Sequence, residues 1–248
     1  MTSLIQKADE FAEYHHGNIE QVRKYTGEPY IAHPRAVAEI VKSVVHTEQM
    51  VCAALLHDTV EDTFATIEEI RLNFGEEIAT LVAGLTDVSK IEDGRRDVRK
   101  AKDLRHTARL SPAGQTVKLA DLIHNTSSIV QHDKTRFCEI YLKEKVLLLK
   151  VLKKGDATLW KRAHDQVVAG LKVVKERKLT ISKASKRICR AVARSLVGKE
   201  LKDLTTEESD LLKDLIVLGL VKKSDFGDYV ESVRRKKSGA IRYTSPSR

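Results

Sequence analysis

The chain has 248 residues, 42% of them hydrophobic and 32% charged, a composition that excludes a disordered chain and favours a soluble globular protein with one sizeable core. No apolar run reaches the roughly 18 residues of a membrane span, and residues 1–10 lack a signal-peptide pattern, so we expect no membrane partner. The net charge of +9 lies entirely in residues 165–248, because residues 1–164 carry equal numbers of basic and acidic side chains. This asymmetry predicts two regions with different roles.

The cysteines suggest a reducing compartment. Cys52, Cys138 and Cys189 are odd in number and far apart, so they indicate neither a disulfide framework nor a zinc knuckle. We therefore expect reduced thiols and a cytoplasmic location.

Helical periodicity runs through nearly the whole chain, and no alternating strand pattern competes with it, which predicts an all-α fold. Ser3 is expected to cap a first helix. Residues 15–30 are polar and rich in turn formers, so they are interpreted as a loop. Pro34 then lies in the first turn of a second helix, and Thr47 caps a third.

The same signals continue further along the chain. Thr66-x-x-Glu69 is a capping box, and Gly75 is a plausible stop for the short helix that it begins. Ser111-Pro112 favours another helix start, after a charged segment expected to be partly helical. The remaining predicted helices cover about residues 76–86, 137–153, 157–175, 181–196 and 209–221, with a second capping box at Thr205-x-x-Glu208.

Residues 57–62, His-Asp-Thr-Val-Glu-Asp, place four ionisable side chains directly after the apolar run of residues 50–56. On a continuous helix all four would project from one broad face. Burying three carboxylates together without a cation would cost several kcal/mol per charge, so a divalent metal and a hydrolase are indicated. Two other pairs, His132-Asp133 and His164-Asp165, lack the following carboxylates and are interpreted as ordinary surface pairs.

Two further positions offer metal ligands. His33 stands immediately before Pro34, at a junction between loop and helix. Asp121 interrupts an apolar run, where a carboxylate without a partner is unfavourable. With His57 and Asp58 they would form a shell of two histidines and two carboxylates, which suits Mn²⁺, Fe²⁺, Zn²⁺ or Mg²⁺ without choosing among them.

The order His33, His57-Asp58, Asp121 resembles the H…HD…D signature of the HD-domain phosphohydrolases. More narrowly, residues 23–34, 57–62 and 117–121 resemble the hydrolase domain of the Rel/Spo-homologue family. The chain is most similar to the small alarmone hydrolases, over about residues 1–165. The resemblance implies an HD-domain helical bundle.

This resemblance also implies an activity, namely removal of the 3′-pyrophosphate from guanosine tetra- or pentaphosphate, usually with Mn²⁺. GDP or GTP and pyrophosphate would be the products. By the same resemblance, Glu61 and Asp62 position and deprotonate the attacking water. The implied metal ligands are His33, His57, Asp58 and Asp121.

The resemblance extends to substrate contacts. It places Arg23 and Lys24 against the guanine base and Asn125 against the sugar. Tyr141 and Lys145 lie four apart on a predicted helix and are candidates for holding the phosphates, although an exposed helix face explains them nearly as well. A basic run is interpreted either as a funnel for a polyanion or as a solvated surface: Arg95, Arg96, Arg99 and Lys100.

Several alternatives stay open. Residues 122–126 depart from the arginine-rich stretch of the long bifunctional enzymes, which leaves the preference between tetra- and pentaphosphate undecided. Related hydrolases also accept NADPH as a substrate for phosphate removal. Whether the protein forms a homo-oligomer is also undecided.

The boundaries expected from these signals are a metal-dependent HD phosphohydrolase domain over residues 1–175 and a basic helical C-terminal extension with a disordered end over residues 176–248. The extension repeats basic residues at helical spacing from Lys183 to Arg194, which is compatible with nucleic-acid binding. Because no stacking aromatics accompany them, nucleic acid is the less favoured partner. Docking on the catalytic core or on a second subunit is preferred.

Overall fold

The structure, a computed structural model, describes residues 3–196. Within this range the chain forms ten α-helices and one 3₁₀ turn, and its β-structure is limited to a single bridge between Val22 and Pro29, so the all-α prediction is confirmed. The helices are α1 (Leu4–Asn18), α2 (Ala32–Lys42), α3 (Glu48–Leu56), α4 (Thr59–Asp62), α5 (Ile67–Phe74), α6 (Glu76–Leu85), α7 (Arg96–Thr107), α8 (Pro112–His132), α9 (Arg136–Val151) and α10 (Ala157–Leu196), and the 3₁₀ turn is Ile91–Asp93.

The predicted helix caps are present. The side-chain oxygens of Ser3, Thr47 and Ser111 each accept a backbone N–H from the first turn of the helix that follows. Thr66 and Glu69 form both bonds of a capping box at the start of α5. These local signals fix where four helices begin.

Three helix boundaries differ from the prediction. α1 continues to Asn18, so the predicted loop of residues 15–30 starts later. α10 continues past residue 175 to Leu196. The segment of residues 57–62 is not one continuous helix with the preceding apolar run, because α3 ends at Leu56.

The break between α3 and α4 has a local cause. The Nδ1 of His57 lies 2.9 Å from the carbonyl oxygen of Ala54, and the hydroxyl of Thr59 donates to the carbonyl of Leu56 at 2.7 Å. Both side chains bond to carbonyls that would accept backbone N–H groups in a continuing helix. The chain therefore turns at His57 and Asp58 and resumes as the four-residue helix α4.

The core is built around α3. Every residue from Met50 to Leu56 is buried, as expected for a helix that is apolar on all sides. α3 packs against α1, α2, α6 and α8, and α2 also packs against α8. This packing brings the start of α2, the end of α3 and the middle of α8 to one place.

The chain divides into two compact units, residues 1–174 and 175–248. The assignment of an HD domain and a basic extension to such units stays a prediction. The helix predicted over residues 209–221, the Thr205-x-x-Glu208 box and the disordered end lie outside the described residues, as do the basic side chains of residues 183–194. Across the described helices, none combines the length and apolar character needed to cross a membrane.

Candidate active site

The four side chains predicted as metal ligands converge. His33 lies in the first turn of α2, His57 and Asp58 form the turn after α3, and Asp121 lies in α8. The Nε2 atom of His33 is 3.4 Å from Asp58 Oδ2 and 3.4 Å from Asp121 Oδ1. The Nε2 atom of His57 is 3.2 Å and 3.8 Å from the same two oxygens. His33, His57 and Asp58 each offer a ligand atom within 4.8 Å of the others.

The imidazole nitrogens that face the carboxylates are without hydrogen bonds. Both rings are almost fully buried, with 0% of His33 and 1% of His57 exposed, and neither Nε2 has a hydrogen-bond partner among the described residues. In the neutral ring, which is the form that binds a metal, the Nδ1–H of His57 donates to the carbonyl of Ala54 and Nε2 offers its lone pair. Two buried nitrogen atoms beside two carboxylates form a donor set that fits a divalent cation.

The close contacts between the histidines and the aspartates shift the pKa values of these side chains. Although burial alone would lower the pKa of His57, the adjacent carboxylates of Asp58 and Asp121 raise it to about 10. Burial by itself would raise the pKa of both acids, but His57 and His33 beside Asp58, and Lys118 with both histidines beside Asp121, hold these two pKa values well below their usual range. The site therefore presents two ionised carboxylates.

Further side chains fix these carboxylates in place. The hydroxyl of Tyr30 donates to Asp58 Oδ2 at 2.7 Å, and the amide of Asn125 donates to Asp121 Oδ1 at 2.6 Å. The ammonium group of Lys118 lies 3.3 Å from Asp121 Oδ2. Such outer partners orient metal-binding groups.

His124 is a site residue that the sequence analysis did not single out. Its Nδ1 lies 2.7 Å from Nδ1 of His33, and the two rings stack with centroids 4.9 Å apart. Burial, with His33 and Arg23 nearby, lowers the pKa of His124 to about 4, so the ring is neutral at pH 7. The available signal was its spacing, since His124 lies three residues after Asp121 and shares a face of α8.

Glu61 and Asp62 lie on α4 and have other partners. Glu61 Oε2 accepts the backbone N–H of Asp87 at 3.1 Å, and Asp62 Oδ2 accepts from the amide of Gln21 at 2.9 Å. Loss of hydration around its carboxylate, together with the charge of Asp87, raises the pKa of Glu61. Glu61 also lines a polar cavity of about 370 Å³. Three basic residues from the predicted funnel also line this cavity: Arg96, Arg99 and Lys100.

Not all of the predicted funnel is available to a ligand. Arg95 pairs with Asp97 at 2.8 Å, and Arg96 pairs with Glu144 at 2.8 Å. These ion pairs neutralise part of the basic run.

A second cavity, of about 280 Å³, has Lys145 in its wall, together with Lys100 and Lys118. Burial and the nearby charge of Lys118 lower the pKa of Lys145 to about 8. Tyr141, the other predicted phosphate contact, is only 6% exposed, and its hydroxyl lies 3.5 Å from Thr126 Oγ1. The ammonium of Lys145 lies 4.6 Å from the centroid of the Tyr141 ring, so the two residues are adjacent, but the tyrosine hydroxyl is buried.

The two predicted base-binding residues lie in different surroundings. Arg23 donates to Asn125 Oδ1 at 3.1 Å and lies 5.5 Å from the centre of the Tyr30 ring, which connects it to the carboxylate cluster. Lys24 lies over the rings of Tyr25 and Phe137, at 5.1 Å and 5.3 Å. Arg23 and Asn125 thus form one unit.

One interpretation of the other His-Asp pairs was wrong. Asp133 is only 5% exposed and accepts the hydroxyl of Tyr25 at 2.7 Å, so it is a buried partner of the Tyr25 loop and not a surface residue. The interpretation was correct for His164 and Asp165, whose side chains are 47% and 56% exposed.

Comparison with known proteins places these features in context. Residues 8–142 match the family model described as HD domain. A guanosine-3′,5′-bis(diphosphate) 3′-pyrophosphohydrolase of Aquifex aeolicus is 42% identical over 125 residues, which are 50% of this chain and 18% of that protein. A GTP pyrophosphokinase rsh of Brucella ovis is 37% identical over 137 residues, 53% of this chain and 18% of that protein. The chain thus spans less than a fifth of these relatives' length.

A solved structure is also similar. It is described as a metazoan ortholog of SpoT that hydrolyses ppGpp and plays a role in starvation responses. The similarity has a TM-score of 0.61 at 26% sequence identity and covers 69% of this chain and 98% of that one.

Proposed function

Because this chain belongs to the HD-domain family, we propose that it hydrolyses the 3′-pyrophosphate of guanosine tetra- or pentaphosphate, releasing pyrophosphate and GDP or GTP. The observation that carries this proposal is the convergence of two unpartnered imidazole nitrogens on two ionised carboxylates. The relatives named for this activity and the structurally similar ppGpp hydrolase support the choice of substrate.

The family match and the group of His33, His57 and Asp58 support a divalent metal site. In this proposal the ligands are these three residues and Asp121, and the ion is Mn²⁺, which mixed nitrogen and carboxylate ligands suit. When bound, a divalent ion lowers the pKa of water and neutralises charge on the phosphate.

Glu61 is the proposed general base. Its raised pKa brings proton uptake closer to neutral pH, where a base is most effective. The proton of the attacking water passes to Glu61 while the water oxygen bonds to the phosphorus attached to the ribose 3′ oxygen. The bond from that phosphorus to the 3′ oxygen breaks, and the 3′ oxygen takes up the proton that Glu61 received, which leaves a free 3′ hydroxyl on GDP or GTP and restores the Glu61 carboxylate. Asp62, held by Gln21, orients the water.

The remaining predicted residues are assigned to substrate binding. Arg23 and Lys24 contact the base, and Asn125, which already bonds to Arg23, contacts the sugar. Lys145 binds phosphate in the cavity that it shares with Lys118, where an anion would relieve the repulsion between the two ammonium groups. Tyr141 remains a candidate second contact on the same helix.

A pyrophosphate-release assay on guanosine tetraphosphate tests the proposal. We expect release by the wild-type protein with Mn²⁺, loss of release with a chelator, and loss of release in Asp58→Ala. Asp165→Ala is the matched control, because Asp165 also follows a histidine but lies exposed on α10. Wild-type protein that releases no pyrophosphate with Mn²⁺ would overturn the proposal.

NADPH should be assayed beside guanosine tetraphosphate. If kcat/KM for phosphate removal from NADPH is higher than kcat/KM for pyrophosphate release from guanosine tetraphosphate, NADPH replaces the alarmone as the proposed substrate. We also propose that the protein works in the cytoplasm, where a nucleotide substrate is found and where the buried Cys52 would stay a reduced thiol.

A further inference from the structure

A chain of two hydrogen bonds leads from the buried end of α1 to Asp62. Nδ1 of His16 lies 2.6 Å from Oε1 of Gln21, and Nε2 of Gln21 donates to Oδ2 of Asp62 at 2.9 Å. His16 is 1% exposed, whereas Asp62 is exposed to solvent. These two hydrogen bonds therefore connect the protein interior to Asp62, a residue of the proposed reaction.

The chemistry of the three side chains fixes which atom donates in each of the two hydrogen bonds. The amide nitrogen of Gln21 faces Asp62, because it donates the hydrogen bond to the carboxylate oxygen. The amide oxygen then faces His16, which requires Nδ1 of His16 to carry the proton. Burial lowers the pKa of His16, so its ring is neutral and its Nε2 is a bare lone pair. This nitrogen has no hydrogen-bond partner among the described residues, which agrees with the proton being on Nδ1.

Local structure alone would hold Asp62 loosely. α4 has four residues, and its N-cap residue makes no side-chain capping bond. Gln21, by contrast, is held at its backbone, because its N–H donates to the carbonyl of His16 at 3.1 Å and its carbonyl accepts from Tyr30 at 2.9 Å. The ring of His16 packs against Tyr30 with centroids 4.8 Å apart, and Tyr30 bonds to Asp58. The side chains of His16, Gln21 and Tyr30 thus form one cluster with bonds to Asp62 and Asp58.

We infer that His16 and Gln21 are positioning residues for Asp62: Gln21 fixes the orientation of the carboxylate, and His16 fixes which way round the Gln21 amide lies. This inference rests on the proposed function for the role of Asp62 in orienting water. A misplacement of a reacting group by about 1 Å costs up to roughly 100-fold in rate.

The kinetic test compares Gln21→Met with the wild type on guanosine tetraphosphate and Mn²⁺. We expect kcat to fall roughly 10- to 100-fold with KM and Mn²⁺ affinity unchanged, because Asp62 contacts neither the base nor the metal in this scheme. Gln6→Met is the matched control, since Gln6 makes the same kind of bond to a carboxylate, Glu10, on the exposed surface of α1. Unchanged kcat in Gln21→Met would overturn the inference.

A second comparison separates positioning from simple packing. His16→Asn keeps an amide donor near the place of Nδ1 and should retain most of kcat, whereas His16→Leu should lose as much as Gln21→Met. Equal losses in both His16 variants would contradict the inference. Adding Gln21→Met to Asp62→Asn should produce no further loss, and multiplied losses would count against it.

A readout independent of activity keeps this inference distinct from the proposed function. Long-range ¹H–¹⁵N NMR of the imidazoles reports which nitrogen of His16 carries the proton. We expect the Nδ1–H tautomer in the wild type, and finding the Nε2–H tautomer would overturn the inference. If the wild type shows the Nδ1–H tautomer but releases no pyrophosphate, the hydrogen-bonded chain stands and the proposed function fails.

Discussion

Replacing Lys118 by methionine tests how charge is balanced at the site. The ammonium of Lys118 lies 3.3 Å from Asp121 Oδ2, and the two side chains are only 14% and 12% exposed. Although burial lowers the pKa of Lys118, the charges of Asp121, Asp87, Glu61 and Asp58 raise it above its ordinary value. Lys118→Met removes this cation and leaves the acids facing one another.

The burial of the pair sets the expected magnitude. Removing one partner of a buried ion pair costs about 3–5 kcal/mol, whereas an exposed pair contributes about 0–1 kcal/mol. We therefore expect the free energy of unfolding of metal-free Lys118→Met, measured by urea denaturation, to fall by about 3–5 kcal/mol. Mn²⁺ should restore part of the loss, because it supplies positive charge beside Asp121.

Lys102→Met is the matched control. Its ion pair with Asp93 is shorter, at 2.7 Å, but the side chains are 40% and 29% exposed. If burial decides the energy, this variant loses less than about 1 kcal/mol. If metal-free Lys118→Met loses no more stability than Lys102→Met, burial does not set the strength of these ion pairs.

Three further predictions concern substrate binding, the metal and the backbone. Burial and the charge of Lys118 lower the pKa of Lys145 to about 8, so kcat/KM should fall as the pH rises through that value and the ammonium loses its proton. Lys145→Arg should abolish this fall. If the fall persists in the variant, Lys145 is not the phosphate-binding group. Asn125→Ala removes the 2.6 Å bond to Asp121, so a Mn²⁺ titration should show roughly 10- to 100-fold weaker binding, and unchanged affinity would contradict the role. Gly75 has φ +87° and ψ 170°, a backbone conformation that L side chains rarely adopt. Thermal denaturation should therefore show that Gly75→Ala costs about 1–3 kcal/mol although the added Cβ approaches no more distant part of the chain within 4 Å, and equal stability would contradict the strain.

Much of the site could be predicted because its residues break local patterns. Asp121 interrupts a buried apolar run, and His33 lies beside a proline that marks a helix start, so each could be identified without knowledge of the fold. Their convergence required the tertiary arrangement of α2, α3 and α8, for which the family resemblance supplied the order of the motifs.

The missed features depend on tertiary contacts. Periodicity favoured a helix through residues 57–62, and the break follows from side-chain bonds to the carbonyls of Ala54 and Leu56. His33 and His124 are 91 positions apart in the chain, and they meet because α2 packs against α8. Asp133 follows an exposed histidine, and its burial depends on a bond from Tyr25, 108 positions away, which no local pattern indicates.

Equilibrium titration with Mn²⁺, followed by the electron paramagnetic resonance signal of the free ion, measures whether the four side chains hold one divalent ion. We expect one tightly bound ion per wild-type chain and per Asp165→Ala chain. In His33→Ala, His57→Ala, Asp58→Ala and Asp121→Ala, the affinity should fall by more than the roughly 10- to 100-fold that follows loss of an outer hydrogen-bond partner. Wild-type Mn²⁺ affinity in any of these four variants would show that the altered residue is not a ligand and would overturn the four-ligand site.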